Sequence, residues 1–166
     1  MNPTDFQLDR NEVLPKLIPE PDKYLIIAGL VGTARDVAHL CGVESSHYYA
    51  MAGAMGGAVS IGLGLALAQP EKRVLVCTGD GELLMNVGAL ATVAVMKPAN
   101  MGILCVNNGH YGETGNQRSH TGQCTDLATM AQGSGIPKIL TVSKEEDIAD
   151  ATDLIDQGQE SFFVHL

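Results

Sequence analysis

The sequence predicts an α/β fold, an open and mostly parallel β-sheet with helices on both faces. Three observations point there. Short apolar runs alternate with helical stretches along the chain, the order of βαβ units. Two of the runs, residues 73–78 (RVLVCT) and Met101–Val106 (MGILCV), are apolar at nearly every position, as strands buried on both faces are. Both then break into short polar signatures, Gly79-Asp80-Gly81 and Asn107-Asn108-Gly109, at the strand ends where such sheets bind ligands.

Taken in order, Tyr24–Ala28 (YLIIA) is the first predicted strand. Thr33, with Asp36 three residues on, is the predicted N-cap of a helix. From Ser45 to Pro70 there is no Asp, Glu, Lys or Arg, a stretch long enough to span a bilayer. It holds Gly53, Gly56, Gly57, Gly62 and Gly64 and much alanine, however. That composition predicts a helix over 54–68 packed on all sides within a protein or against another subunit. Residues 73–78 form the next strand, and 83–96 a helix stopped by Pro98. After the Met101–Val106 strand comes a polar, glycine-bearing loop over 109–124. A helix follows around 126–132, then a strand over 138–142. Ser143 and Glu146 form a capping box for a helix to about Gln157, and 161–166 is the last strand. The 166 residues fit one domain, with a core over about 24–166 behind an N-terminal extension or helix over 1–23.

Composition narrows the function. With 45% hydrophobic and 17% charged residues the chain is globular rather than disordered. A net charge of −9 and no basic cluster longer than Lys72-Arg73 argue against a nucleic-acid partner. Cys41, Cys77, Cys105 and Cys124 form no C-x-x-C pair, so no zinc or iron–sulfur site is indicated. Cys77 and Cys105, each in an apolar run, read as small buried hydrophobes in a reducing compartment. The first residues lack a basic-then-apolar signal pattern, so the expected location is cytoplasmic, with no membrane association.

The chemistry sits at the strand ends. Gly79-Asp80-Gly81 leaves a strand and opens a helix, whose first N–H groups and dipole suit a phosphate. Asp80 would repel that phosphate unless a divalent cation lay between them, bound by oxygens of both. The Asn107-Asn108 amides at the next strand end supply further hard oxygen ligands. Either tripeptide alone is an ordinary turn. Two adjacent strands, joined by one helix and each ending in a metal-compatible residue, say more.

Gly79-Asp80-Gly81, the twenty-five residues 82–106, and Asn107-Asn108 together resemble the GDG–NN motif of thiamine-diphosphate-dependent enzymes. Asn107-Asn108-Gly109-His110-Tyr111-Gly112 continues the likeness, and Gly53-Ala54-Met55-Gly56 precedes it, so the resemblance covers roughly residues 24–122. It implies the diphosphate-binding (PP) domain fold, with thiamine diphosphate and Mg²⁺ as cofactors. Asp80, the Asn108 side chain and the His110 carbonyl would bind the metal. Gly79, Gly81, Glu82, Leu83, Tyr111 and Gly112 would lie about the diphosphate, with Gly32 and Thr33 from the first strand end. Met55 would prop the cofactor in its bent form and Gly53 would accept from its aminopyrimidine. Glu82 departs from the serine usual after GDG and is expected to point along the new helix, where a first-turn acid is favourable.

In this family a second domain carries the glutamate that activates the aminopyrimidine. The chain has length for the diphosphate domain only, so the resemblance implies a separate α subunit and a hetero-oligomer. The runs GDGELLMNVGALATVAV and NNGHYGETGNQ are most similar to the sulfopyruvate and phosphonopyruvate decarboxylase subgroup. The implied activity is that of a carboxy-lyase β subunit acting on a small 2-oxoacid. Arg118 and His120, on the loop after the motif, either grip a substrate anion or are solvated loop residues. His47 is a candidate proton donor. Other readings stay open: a 2-oxoacid oxidoreductase or carboligase subunit, or a non-catalytic nucleotide-binding domain. Against the last, Gly29-Leu30-Val31-Gly32 lacks the G-x-G-x-x-G spacing.

Overall fold

The computed structural model describes residues 8–166. The part of the predicted N-terminal extension over 1–7 lies outside the described residues. Six strands form one parallel sheet: β1 (Tyr24–Ala28), β2 (Tyr48–Ala50), β3 (Arg73–Gly79), β4 (Met101–Val106), β7 (Lys138–Thr141) and β8 (Phe162–His165), in the order β2-β1-β3-β4-β8-β7. A separate antiparallel pair, β5 (His110–Tyr111) and β6 (Gln117–Arg118), lies within the polar loop after β4.

Alternate residues of each central strand feed two cores. Val74 and Val76 of β3 and Ile103 and Cys105 of β4 face one side, covered by α3 (Ala58–Ala68), α5 (Ala89–Met96) and α6 (Leu127–Gly133). Leu75 and Cys77, with Leu104 and Val106, face the other, covered by α1 (Arg10–Leu17), α2 (Gly32–Cys41) and α7 (Ile148–Gln157). Every residue of β4 is buried, which is why its sequence shows no alternation.

Several boundaries differ from the expected ones for identifiable reasons. The glycine-rich helix begins at Ala58, not 54, because Gly56 takes φ +80 and turns the chain before the helix starts. The helix expected over 83–96 is two pieces, α4 (Asp80–Leu84) and α5. Between them Asn86 donates its side-chain amide to the Gly56 carbonyl at 3.1 Å, a tertiary bond that no local pattern shows. Thr33 is not an N-cap. Val31 holds that position at φ 51, while the Thr33 hydroxyl donates to the Leu30 carbonyl at 3.0 Å. Asp36, instead of closing a box, sits 3.1 Å from Arg10 Nε. The capping box expected of Ser143 and Glu146 falls one residue later, at Lys144 and Asp147, on a short 3-10 turn over 145–147 that leads into α7: the Asp147 carboxylate accepts from the N–H groups of Ser143 and Lys144, and these bonds hold its pKa below the usual range. Among the described residues no helix is long and apolar enough to cross a membrane.

Candidate functional site

The carboxyl ends of β1, β3 and β4 open into a cleft of about 1040 Å³. Parallel pairing of β3 with β4 sets Gly79 beside Val106, so Asp80 and Asn108 emerge at neighbouring strand ends on one level. Both line the cleft, as do Gly79, Gly81, Glu82, His110, Tyr111 and Gly112. Met55, on the turn after β2, lines it as well, with 45% of its surface exposed. An apolar side chain so open is available to a ligand.

Asp80 is buried at the start of α4. The Ser119 hydroxyl donates to its Oδ2 at 2.6 Å and the Thr121 hydroxyl at 2.7 Å. Both hydroxyls meet the same oxygen, so Oδ1 is the one this pair leaves to a cation. The two asparagines divide their work. Asn107 turns inward: its Oδ1 accepts from Gly109 N–H at 3.0 Å, and its amide nitrogen lies 3.0 Å from His165 Nε2. Burial lowers the His165 pKa and keeps the ring neutral, so Nε2 can accept from that amide. Asn108 is exposed to the cleft, its Oδ1 oriented by a bond from His110 N–H at 2.9 Å. The His110 ring folds back, with Nδ1 2.9 Å from the Asn108 carbonyl, to which it donates. A carboxylate, an amide oxygen and a backbone carbonyl form a hard donor set that fits a small divalent cation.

Gly81 is required by contact. A Cβ there would fall 2.4 Å from the Tyr111 ring, which presses on the first turn of α4. Residues 31–166 match the family described as thiamine pyrophosphate enzyme, C-terminal TPP binding domain. The chain belongs to that family.

Proteins similar to the chain include sulfopyruvate decarboxylase subunit beta of Methanocaldococcus jannaschii. The two are 39% identical over 137 residues, which is 82% of this chain and 72% of that one. The same subunit of Methanococcus maripaludis is 36% identical, over 90% of this chain and 78% of its own. Phosphonopyruvate decarboxylase of Streptomyces viridochromogenes is 33% identical over 86% of this chain, which spans 35% of that longer protein. In fold, the chain superposes with a TM-score of 0.81 on an enzyme of Mycobacterium smegmatis described as thiamin diphosphate-dependent, at 20% identity. That match covers 96% of this chain but only 31% of the other.

The remaining sequence-derived candidates are less central. Gly32 and Thr33 line the cleft, whereas Gly53 and Leu83 are not among its lining residues. Leu83 is core, so only its backbone can serve a diphosphate. His47, Arg118 and His120 also lie off the cleft wall. His47 sits just before β2, Arg118 is on β6, and the His120 carbonyl gathers the N–H groups of Gln123, Cys124 and Thr125 into a tight turn.

Glu82 does not point along its helix. It folds over the bare backbone of Gly29, and its Oε2 accepts from Leu30 N–H at 3.1 Å. Its Oε1 is buried with no hydrogen-bond partner. Burial pushes this carboxyl above the usual range, against the opposing pull of the Leu30 bond. Sequence reasoning missed Ser119, Thr121 and Arg10, the last of which lines the cleft from α1. Nothing in the run QRSHTGQ marks the two hydroxyls as carboxylate partners.

Proposed function

We propose that the chain is the diphosphate-binding β subunit of a two-chain, thiamine diphosphate- and Mg²⁺-dependent 2-oxoacid decarboxylase. The observation that carries this reading is the juxtaposition, in one cleft, of Asp80 and Asn108 at adjacent strand ends with an exposed Met55 facing the same space. The similar chains named as decarboxylase β subunits support the activity and the split arrangement. Residues 1–166 are read as one PP domain, and the cysteine thiols suit a cytoplasmic setting.

In this reading Asp80, Asn108 and the His110 carbonyl hold Mg²⁺, and the backbone at Gly81-Glu82-Leu83 meets the diphosphate. Bound thiamine diphosphate supplies the electron sink for decarboxylation. Met55, open to the cleft, would support the reacting end of the cofactor. A partner α subunit contributes the activating glutamate and closes the cleft against water.

Ser119 and Thr121 fix the Asp80 carboxylate so that one oxygen faces the metal. Thr121→Val, which removes one hydroxyl at nearly constant volume, is expected to raise the Mg²⁺ concentration needed for half-maximal cofactor binding by about tenfold, as loss of an outer partner to a ligand does. A Mg²⁺ titration monitored by cofactor fluorescence quenching checks this.

The reading as a whole is tested with the purified chain, alone and reconstituted with its partner, given thiamine diphosphate, Mg²⁺ and 2-oxoacids. Carbon dioxide release is expected from the complex and not from the single chain. Substantial turnover by the single chain would overturn the split arrangement.

A further inference from the structure

We propose that Arg10 and Arg35 form a subsite for a second anionic group of the substrate, an oxoanion such as a sulfonate, phosphonate or carboxylate that is retained when CO₂ leaves. This rests on the decarboxylase reading above. The two arginines come from different elements, α1 and α2, and line the same wall of the cleft beside Leu30, Val31 and Gly32. The wall lies at the end of β1, between the Met55 turn after β2 and Asp80 after β3 in the sheet order. A group bound there sits one strand away from Asp80, in the same cleft as Met55.

Arg35 occupies a costly position. It lies in the first turn of α2, which has no acidic residue and no side-chain cap. A cation there opposes the positive end of the helix dipole. Its Nε donates to the Val31 carbonyl at 3.3 Å, which folds the side chain back over that helix end. The neighbouring Asp36 carboxylate attracts both Arg35 and Arg10 and offsets part of that cost; an anion arriving at the cleft wall would offset the rest. The chain as a whole carries only ten Lys and Arg against nineteen Asp and Glu, so two arginines on one cleft wall depart from its overall charge.

Arg10 is held in place from behind. Its Nε lies 3.1 Å from Asp36 Oδ2, whose side chain is only 11% exposed. Its guanidinium then lies over Gly32, close enough that a Cβ there would fall 2.7 Å from Nη1 and 3.0 Å from Nη2. The acids on the cleft wall itself are Asp80, Glu82 and Glu113. Asp80 Oδ2 accepts from the Ser119 and Thr121 hydroxyls and Glu82 Oε2 from Leu30 N–H, while Glu113 is exposed on the segment after β5. The planar forks of two arginines suit a multi-oxygen anion better than a single point charge would. Arg118, the arginine that sequence alone offered for this role, is outside the wall.

The test uses the chain reconstituted with its partner, with 3-sulfopyruvate and pyruvate as substrates and 3-sulfopropanoate, which has no ketone, as an inert dianion. The variants are Arg35→Gln, Arg35→Lys, and Arg10→Gln combined with Asp36→Asn so that no buried carboxylate is stranded. The subsite predicts a rise of about tenfold or more in KM for 3-sulfopyruvate and in the Kd of 3-sulfopropanoate, as for a lost charge-assisted hydrogen bond. Arg35→Lys should recover part of it. Turnover of pyruvate and the thiamine diphosphate concentration at half-saturation should not change. Weaker cofactor binding with unchanged KM would assign the arginines to the diphosphate and overturn the proposal, as would no change at all. A wild-type complex that decarboxylates pyruvate but neither binds 3-sulfopropanoate nor uses 3-sulfopyruvate would sink the subsite and leave the decarboxylase reading standing. Arginine-dependent binding of 3-sulfopropanoate by a complex that decarboxylates no 2-oxoacid would do the reverse.

Discussion

Asp80→Asn is expected to weaken Mg²⁺-dependent thiamine diphosphate binding by the assembled enzyme on the order of a hundredfold or more, because it removes the only charged ligand in the proposed donor set. Asparagine keeps the shape of the side chain and an oxygen able to accept from Ser119 and Thr121, whose hydroxyls meet Asp80 at 2.6 and 2.7 Å. The loss is therefore electrostatic rather than a collapse of the loop. Calorimetric titration of the cofactor over a series of Mg²⁺ concentrations reads it directly. Affinity equal to that of the unaltered enzyme would reduce Gly79-Asp80-Gly81 to a turn. Asn108→Leu should act in the same direction and more weakly, since that ligand is neutral.

Met55→Ala is expected to lower the rate of proton exchange at the cofactor's C2 by one or more orders of magnitude, while cofactor affinity changes far less. In the proposed site affinity would rest on the metal and the diphosphate, held by groups other than the Met55 side chain. Rate rests on how well the reacting groups are aligned, and alignment of two groups can contribute several orders of magnitude. Hydrogen–deuterium exchange followed by NMR in the reconstituted complex separates the two. Exchange at the unaltered rate would make Met55 a packing residue and would move the reacting end of the cofactor elsewhere.

The central strands and the two polar strand ends were legible because each is a local pattern. A strand buried on both faces shows as a continuous apolar run, and a strand-end turn shows as glycine with Asp or Asn. What was illegible depends on long-range contact. The edge strand β2 is only Tyr48–Ala50, too short to carry a pattern. The break between α4 and α5 follows from the Asn86 bond to Gly56, thirty residues away. Glu82 was expected along its own helix, but the available N–H was that of Leu30, on a different strand end. Arg10 could not be placed in the cleft from sequence, since its position depends on how α1 packs against α2 and α7.

The bonds from Ser119 and Thr121 to Asp80 also govern the order in which the site comes into being. They join residues 39 and 41 positions apart. Bringing such distant partners together costs chain entropy that is recovered only when both are in place. β3 and β4 can pair, and the turn at Gly79 can form, with the Asp80 carboxylate still unheld. The proposed metal-binding geometry would be complete only when the chain has passed through β5 and β6 and returned to deliver its hydroxyls. In the proposed site, affinity for the metal would therefore appear only once this loop has closed on β3, and a chain with the loop still open would have no ready-made trap for stray cations.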